Sequence, residues 1–205
     1  MFERVLAQSA QSVLERLKGI AEIRSFYLAG GTGLALQLGH RRSVDLDFFT
    51  AQSFDAEALA VRLKQVGSTE TTLLGTRTLK VSIDDIETSF FPYPHPLLFP
   101  TLEYRGVAVA SWVDILCMKV AAVGQRAAKR DYVDVYFGLK KGLALRELMD
   151  LVKKKYSDVQ YSEYHLLRSL MYFDEIESEP MPVLFRSVSW EAICRFLRKQ
   201  VQKTG

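Results

Sequence analysis

The sequence predicts an α/β (α+β) fold in which strands and helices interleave over the first half of the chain and helices dominate the second half. Up to residue 110, segments with the period-two alternation of strands lie between segments with helical apolar spacing. The two halves meet near PYPHPLLFP at residues 92–100, where four prolines exclude the middle of a sheet. We therefore expect an α/β core over residues 1–105 and a mostly helical domain over residues 106–205.

The individual elements follow from apolar spacing and turn residues. Predicted strands lie at residues 26–29, 44–49, 69–74, 78–83, 86–91 and 106–110. Predicted helices lie at residues 3–19, 32–38, 55–65, 112–123, 129–140, 145–156, 164–173 and 190–203. Thr32 is a residue type that caps a helix start, and Gly39 is one that ends a helix. Asp84 and Asp85 are predicted to form the turn of a hairpin.

Composition and length indicate a globular protein with a buried core. The chain has 205 residues, of which 48% are hydrophobic and 25% charged. No apolar run reaches the ~18 residues that a membrane span needs, and the N-terminal segment has no unbroken apolar stretch. Cys117 and Cys194 lie in apolar helical patterns, which is typical of buried thiols in a reducing compartment. We expect a cytoplasmic protein without a membrane partner.

Charge is distributed unevenly along the chain, whose formal net charge is +3. Residues 1–105 carry 11 basic and 12 acidic residues, and residues 106–205 carry 16 basic and 12 acidic residues. This distribution permits a nucleic-acid partner for the second half without requiring one. The lysine run 153–155, with Tyr156 and Tyr161 nearby, is either part of an RNA-binding face or a solvated helix end, and the latter is favoured.

The three histidines are too scattered to indicate a zinc site. His40 stands beside Arg41 and Arg42, where contact with a phosphate is one interpretation. A solvated histidine at a helix end is the favoured one.

Gly30 and Gly31 lie where a predicted strand enters a predicted helix. Glycines allow a ligand to approach the backbone, and a helix N-terminus offers free N–H groups to a phosphate. Neither of the two familiar glycine-rich phosphate motifs is present. From the glycines alone, a turn that binds no ligand is the favoured interpretation.

Asp45 and Asp47 form a D-x-D pattern on a predicted strand, so both side chains point to one face, about 7 Å apart at their Cα atoms. Carboxylates in this arrangement can bind one or two hard cations such as Mg²⁺. A solvated face with Arg41 and Arg42 as neighbours is the alternative. A phosphate-binding turn connected through one helix to two carboxylates is, however, the layout that nucleotidyl transfer requires.

The motif Gly30-Gly31, followed after thirteen residues by Asp45-Leu46-Asp47, resembles the signature of the DNA polymerase β-type nucleotidyltransferase fold. The string GGTGLALQLGHRRSVDLDFF is similar, more narrowly, to the AbiEii/AbiGii toxin nucleotidyltransferases. A second block, DILCMKVAAVGQRAAKRDYVDVYFGL at residues 114–139, agrees with that family. Its matching residues are Lys119, Arg130, Asp131, Tyr132 and Asp134. The resemblance implies a mixed sheet with flanking helices followed by a helical C-terminal part.

The same resemblance implies a role for each matching residue. Gly30, Gly31 and Thr32 would hold the triphosphate, Arg41 and Ser43 would line the phosphate side, and Asp45 and Asp47 would bind Mg²⁺ or Mn²⁺ and serve in catalysis.

Lys119 would reach a phosphate and Asp131 would orient or activate a nearby group, with Asp134 and Arg130 as weaker candidates. The alternatives are structural. A lysine in an apolar helix can extend outward to solvent, and two aspartates three residues apart can pair with nearby arginines or Lys129.

The wider fold family has a third carboxylate on a later strand, for which residues 86–91 are the equivalent. The central position there is Ser89, which cannot act as a base, whereas Glu87 lies two residues away on the same face. Either Glu87 substitutes or the site functions with two carboxylates together with Lys119 and Asp131, and the general base stays unassigned.

The expected function is Mg²⁺-dependent transfer of a nucleoside monophosphate from an NTP to an acceptor. The resemblance implies that the acceptor is tRNA or another RNA. It also implies that the protein is the toxin of a toxin–antitoxin pair in phage defence by abortive infection, with a winged-helix antitoxin as its partner. A catalytically inactive nucleotide- or RNA-binding module is the main alternative. A metal-dependent nuclease is disfavoured because that class generally needs more metal ligands.

Overall fold

The computed structural model describes residues 1–159 and 162–204, and within them seven strands form one mixed sheet accompanied by eight α-helices. The strands are β1 (Tyr27–Leu28), β2 (Leu46–Thr50), β3 (Thr69–Gly75), β4 (Thr78–Ile83), β5 (Ile86–Pro92), β6 (Leu102–Tyr104) and β7 (Val107–Val109). The helices are α1 (Gln8–Leu17), α2 (Gly30–Leu38), α3 (Ala56–Leu63), α4 (Trp112–Gln125), α5 (Lys129–Lys140), α6 (Leu145–Lys155), α7 (Glu163–Ser169) and α8 (Trp190–Thr204). The predicted α/β fold is confirmed.

The sheet has the order β3-β4-β5-β2-β1-β7-β6. β2 pairs with β5, and β1 with β7, in parallel, whereas the other neighbouring strands are antiparallel. β2, which carries Asp47 of the D-x-D motif, is therefore central in the sheet. Asp47 is in register with Ser89 of β5.

One face of the sheet packs against α1 and α3. Alternation along β2 produces this face, because Leu46 and Phe48 are fully buried whereas Asp47 and Phe49 are only half-buried. The other face, which carries Asp47 and Phe49, is left for the cleft described below.

A second hydrophobic core surrounds α4, which packs against α2, α5, α6 and α7. This is the helical part that the sequence predicts. The predicted boundary between residues 105 and 106 falls in the turn of the β6–β7 hairpin, both strands of which belong to the sheet. The division into two domains stays a prediction.

Several element boundaries differ from those predicted. α2 begins at Gly30 with Ala29 as its N-cap residue, so the predicted capping by Thr32 is wrong. β2 begins at Leu46, so Asp45 stands just before the strand. The short strand β6 was not predicted. The predicted β4–β5 hairpin is confirmed, and Asp84 and Asp85 both have the positive φ of its tight turn.

The lysine run 153–155 is not a uniform surface. Lys153 and Lys154 are exposed, but Lys155 is fully buried and donates to Asp114 at 2.8 Å and to the Pro96 carbonyl oxygen at 2.7 Å. Its interpretation as part of a solvated helix end is therefore wrong. Tyr161 lies outside the described residues.

Across residues 1–159 and 162–204, no helix combines the length and apolar character that a membrane span requires.

Candidate active site

A cleft of about 900 Å³ lies between the open face of the sheet and the helices α2, α4 and α5. Most of the predicted site residues line it. They are Gly30, Gly31, Arg41, Ser43, Asp45, Asp47, Glu87, Lys119 and Arg130. The other predicted residues, Thr32, Asp131 and Asp134, are buried in the wall behind the cleft.

The glycine turn and the D-x-D motif meet directly. Gly30 has a φ of +59°, and a Cβ atom on it would lie 2.4 Å from Oδ2 of Asp47. A Cβ atom on Gly31 would lie 2.3 Å from Nη2 of Arg41. Both positions therefore require glycine already in the free protein, because the Asp47 and Arg41 side chains pack against this backbone. The close approach supplies a packing reason for the glycine pair that the sequence did not reveal.

Asp45 and Asp47 present two carboxylates to the cleft. Burial raises the pKa of Asp47, and the neighbouring charge of Asp45 raises it further, while Lys119 counteracts both. Asp45 is more exposed and lies 3.9 Å from Nη1 of Arg130. Two like charges on one face are destabilising unless a cation compensates them.

The donor atoms at this point suit Mg²⁺ or Mn²⁺, which bind hard oxygen ligands. Within the described part of the chain, no group of three or more His, Cys, Asp or Glu residues is arranged to hold a metal ion. Mg²⁺ commonly binds through one or two carboxylates together with substrate phosphates and water. Asp45 and Asp47 fit a site of that kind.

Asp134 lies at the centre of a buried ionic cluster beside the cleft. It accepts two parallel hydrogen bonds from Arg41, at 2.7 Å from Nε and 2.9 Å from Nη2, and it lies 3.0 Å from Nζ of Lys119. Burial alone would raise the pKa of Asp134, but Arg41 and Lys119 outweigh it and hold the pKa well below its usual range. Sequence reasoning ranked Asp134 as a weaker candidate, yet it organises this wall.

Lys119, like Arg41, connects this cluster to the cleft. Its Nζ atom donates to Oδ1 of Asp131 at 2.6 Å, and only 10% of its side chain is exposed. The alternative in which this lysine extends outward to solvent is wrong. Asp131 is fully buried behind it, and its Oδ2 atom has no hydrogen-bond partner among the described residues.

His40 is fully buried and contacts Oδ1 of Asp134 at 2.8 Å through Nε2, so its prediction as a solvated residue is wrong. Burial lowers the pKa of His40 despite its contact with Asp134, whose charge is already offset by Arg41 and Lys119. Nδ1 of His40 has no hydrogen-bond partner in the described residues. A neutral imidazole that donates from Nε2 satisfies this geometry, because a proton on Nδ1 would be buried without an acceptor.

Thr32 and Ser43 support the backbone of the D-x-D motif from behind. The Thr32 hydroxyl group hydrogen-bonds to the Asp45 carbonyl oxygen and lies 2.8 Å from Oγ of Ser43. Thr32 is only 1% exposed. It therefore holds Asp45 in place from α2 and does not face the cleft.

The row of residues beside Asp47 contains a serine and a lysine. Ser89 of β5 is in register with Asp47 and with Lys80 of β4, and all three line the cleft. Glu87 lies two residues before Ser89 and is exposed in the same cleft. Sequence reasoning missed Lys80, although its position between the buried residues Leu79 and Val81 indicates the open face.

Comparison with known proteins identifies a family and several similar proteins. The family described as "Nucleotidyl transferase AbiEii toxin, Type IV TA system" matches residues 12–94 and 72–203. The uncharacterized protein aq_aa25 of Aquifex aeolicus (strain VF5) is 33% identical over 207 residues, which cover 98% of each chain.

Solved structures share the fold. The nucleotidyltransferase toxin MenT4 from Mycobacterium tuberculosis H37Rv has a TM-score of 0.62 at 18% identity, covering 94% of this chain and 80% of that chain. An H. pylori protein described as a candidate nucleotidyltransferase has a TM-score of 0.58 at 17% identity, covering 97% and 95%. The antibiotic-resistance factor ANT(2'')-Ia has a TM-score of 0.54 at 15% identity, covering 74% and 94%. The chain belongs to the AbiEii family of nucleotidyltransferase toxins and is a nucleotidyltransferase.

Proposed function

We propose that this protein transfers a nucleoside monophosphate from an NTP to a hydroxyl group of an RNA acceptor such as tRNA, in a Mg²⁺-dependent reaction. The observation that carries the proposal is the contact between the Gly30 backbone and the Asp47 carboxylate inside one cleft. This contact supports the proposal because it brings the turn that would bind phosphate next to Asp47, one of the two carboxylates that would bind the metal.

The triphosphate would bind at the start of α2. The first N–H groups of a helix have no partner within the helix, and the helix dipole favours an anion there. The Asp47 and Arg41 side chains lie against the Gly30 and Gly31 backbone, so a phosphate at this helix start would meet the guanidinium of Arg41 and the cation held by Asp47. Ser43 lines the cleft alongside. Arg41 is held by Asp134, so it contributes a pre-positioned charge.

Asp45 and Asp47 would hold Mg²⁺ or Mn²⁺. A divalent cation bound there supplies charge neutralisation on the phosphate oxygens. Lys119 adds positive charge from the helical side of the cleft, and Asp131 and Asp134 act as positioning residues because they hold its ammonium group. Arg130, on the rim beside Asp45, is placed to contact the nucleotide or the acceptor.

In the proposed reaction, an acceptor hydroxyl oxygen forms a bond to the α-phosphorus of the NTP. The bond between the α-phosphorus and its bridging oxygen to the β-phosphate breaks, and pyrophosphate leaves. The hydroxyl proton must pass to a base. Among the described residues, the carboxylates that line the cleft are Asp45, Asp47 and Glu87. With the first two assigned to the metal, we assign the role of base to Glu87.

An RNA acceptor is supported by the charge at the rim of the cleft. Arg42, Arg126 and Arg130 line it and are exposed. Arginines in such positions bind the phosphate backbone of nucleic acids. Family membership supports a toxin role with a cognate antitoxin. We further propose that the antitoxin is a winged-helix protein and that the toxin acts in the cytoplasm in phage defence.

The test is label transfer from each of the four α-³²P-NTPs to total tRNA in the presence of Mg²⁺. We expect labelled RNA with the natural protein and none with the Asp45→Asn/Asp47→Asn variant. Asp150→Asn, at an exposed position on α6, is the matched control and should retain transfer. NTP binding that needs Mg²⁺ but leads to no labelled RNA would contradict the proposal for these acceptors and favour the inactive binding module.

The base assignment has its own test. Glu87→Gln should lower the transfer rate by about 10²-fold, because general bases typically contribute 10²–10⁴-fold, and it should leave NTP binding unchanged. Glu147→Gln, an exposed glutamate on α6, is the control. A Glu87→Gln protein with full activity would exclude this base.

A further inference from the structure

The open face of the sheet changes character along the strands, from charged and polar side chains to aromatic ones. On β2 and the residue before it, Asp45 and Asp47 are followed on the same face by Phe49. On β5, Ser89 is followed on the same face by Phe91. The register pairs Asp47 with Ser89 and Phe49 with Phe91, so a polar row and an aromatic row lie side by side.

The aromatic row continues beyond the strands as a wall of the same cleft. The Phe49 ring centroid lies 5.6 Å from those of Phe91 and Tyr93. Tyr93 lies 5.1 Å from His95, which in turn lies 4.7 Å from Tyr156. All five rings line the cleft. We call Phe49, Phe91 and Tyr93 the aromatic wall.

Core packing accounts for only part of this arrangement. Phe49 stacks on Tyr27 at 6.2 Å, which satisfies one side of its ring. Phe49, Phe91 and Tyr93 are nevertheless all partly exposed on the cleft side. By contrast, Phe48 and Phe90, which point to the buried face of the same strands, are 0% exposed. A surface that is partly open and aromatic suits a flat, apolar ligand group.

The two rows have the spacing of the two ends of a nucleotide. Residues two apart on a strand are separated by about 7 Å, and in a nucleotide a ribose separates the phosphates from the base. The polar row, with its carboxylates and Lys80, suits phosphates and their cation. The base is uncharged and flat, so it is suited less to the charged row than to stacking on aromatic faces.

From this juxtaposition we infer that the aromatic wall is the nucleobase subsite. An NTP then lies along the strands, with its triphosphate at Gly30 and Asp47 and its base against Phe49 and Phe91. The inference rests on the proposed function and adds the orientation of the substrate. Stacking accepts every base, so this subsite provides affinity for a nucleotide over an inorganic phosphate chain.

Two probes separate this role from a structural one. Mg²⁺-dependent binding is measured for ATP and for inorganic tripolyphosphate, which shares the phosphates but has no base. Leucine at position 49 or 91 retains apolar packing and removes the aromatic face. We expect Phe49→Leu and Phe91→Leu each to weaken ATP binding by about tenfold, while tripolyphosphate binding is unchanged.

The controls define what overturns the inference. Phe49→Trp should restore ATP affinity, and Phe196→Leu, a half-buried phenylalanine of α8 that packs on Tyr136, should leave both affinities unchanged. If Phe49→Leu and Phe91→Leu lose affinity equally for ATP and tripolyphosphate, or lose affinity for neither, the subsite is excluded even if RNA labelling proceeds. A natural protein that binds neither probe would instead overturn the proposed function and the subsite with it.

Discussion

Two buried ionic groups flank the cleft, and they differ in how completely their polar atoms are hydrogen-bonded. The Asp114 pair consists of Asp114 and Lys155, whose side chains are 0% exposed and 2.8 Å apart. The Asp114 carboxylate also accepts hydrogen bonds from the backbone N–H groups of Leu98 and Phe99 and from Ser111 Oγ. The contacts with Leu98, Phe99 and Lys155 join the segment that follows β5 to α4 and α6, whereas the Ser111 contact lies within the start of α4.

The Asp134 cluster consists of His40, Arg41, Lys119, Asp131 and Asp134. It includes two of the buried side-chain atoms that have no hydrogen-bond partner among the described residues, Nδ1 of His40 and Oδ2 of Asp131. It also reaches the cleft through Arg41 and Lys119. Buried polar groups are usually hydrogen-bonded, and an exception calls for an explanation such as a catalytic role or a bound water or ion. We infer from this difference that the Asp114 pair stabilises the fold, whereas the Asp134 cluster positions the Arg41 and Lys119 side chains for a ligand.

The largest expected effect is the loss of folding stability when the Asp114 pair is broken. Asp114→Ala leaves Lys155 without a counter-charge and two backbone N–H groups without an acceptor, which should cost ~4–5 kcal/mol of the free energy of unfolding. Urea denaturation followed by circular dichroism measures the loss. Asp150→Ala, at an exposed aspartate, should change the midpoint little. A cost below ~1 kcal/mol would mean that the pair does not anchor the fold.

Asp134→Asn should be next in effect on stability and should in addition abolish most of the activity. The asparagine amide still accepts a hydrogen bond, but Asp131 is then the remaining buried counter-charge for Arg41 and Lys119. The free energy of unfolding should fall by ~3 kcal/mol. Label transfer, normalised to the folded fraction, should fall at least about tenfold because Lys119 loses its position. Full activity per folded molecule would show that the Asp134 cluster, like the Asp114 pair, only stabilises the fold.

Arg41→Lys tests the geometry within the Asp134 cluster. A lysine preserves the charge but cannot make the two parallel hydrogen bonds to Asp134, so stability should fall by ~1–2 kcal/mol and the Michaelis constant for NTP should rise. Arg42→Lys, at the exposed neighbouring position, is the matched control for stability. Identical denaturation midpoints for the two variants would show that charge alone suffices at position 41.

The smallest expected effect is the pH dependence that His40 contributes. Folded His40 faces Asp134, Arg41 and Lys119, and its pKa is lowered in the folded state. Below pH ~6.5, the histidine of the unfolded chain therefore binds a proton that the folded histidine does not bind. Stability should therefore fall as the pH decreases below that value, by at most ~1.4 kcal/mol per pH unit. His40→Gln should remove this part of the slope, whereas His165→Gln, at an exposed position, should retain it. A slope that His40→Gln leaves intact would contradict a neutral, buried His40.

Much of the fold and of the cleft could be predicted from local sequence. The glycine pair and the D-x-D motif lie within one strand–helix–strand unit, so their spacing alone predicts that they meet. The hairpin at Asp84 and Asp85 and the limits of α5 were predictable for the same reason, since turn residues and apolar periodicity are local signals.

The members of the two ionic groups could not be predicted in the same way. Arg41 and Asp134 are 93 residues apart in sequence, and Asp114 and Lys155 are 41 apart. A histidine beside two arginines and a lysine within a run of three lysines both have the local pattern of exposed residues. Their burial depends on which element packs over them, and local periodicity carries no information about that.

The sequence by itself determined the α/β class, the order of the elements, the family and the pairing of a glycine turn with two carboxylates, because these depend on residue type and short spacing. Only the tertiary structure decided that Asp134 organises the cations, that His40 and Lys155 are buried, and that a polar row and an aromatic row lie side by side in the cleft. The two rows depend on register, because hydrogen bonds between β2 and β5, which are distant in sequence, fix which side chains become neighbours. The buried ionic groups depend on which helices and loops pack over them, and both effects act between residues far apart in the chain.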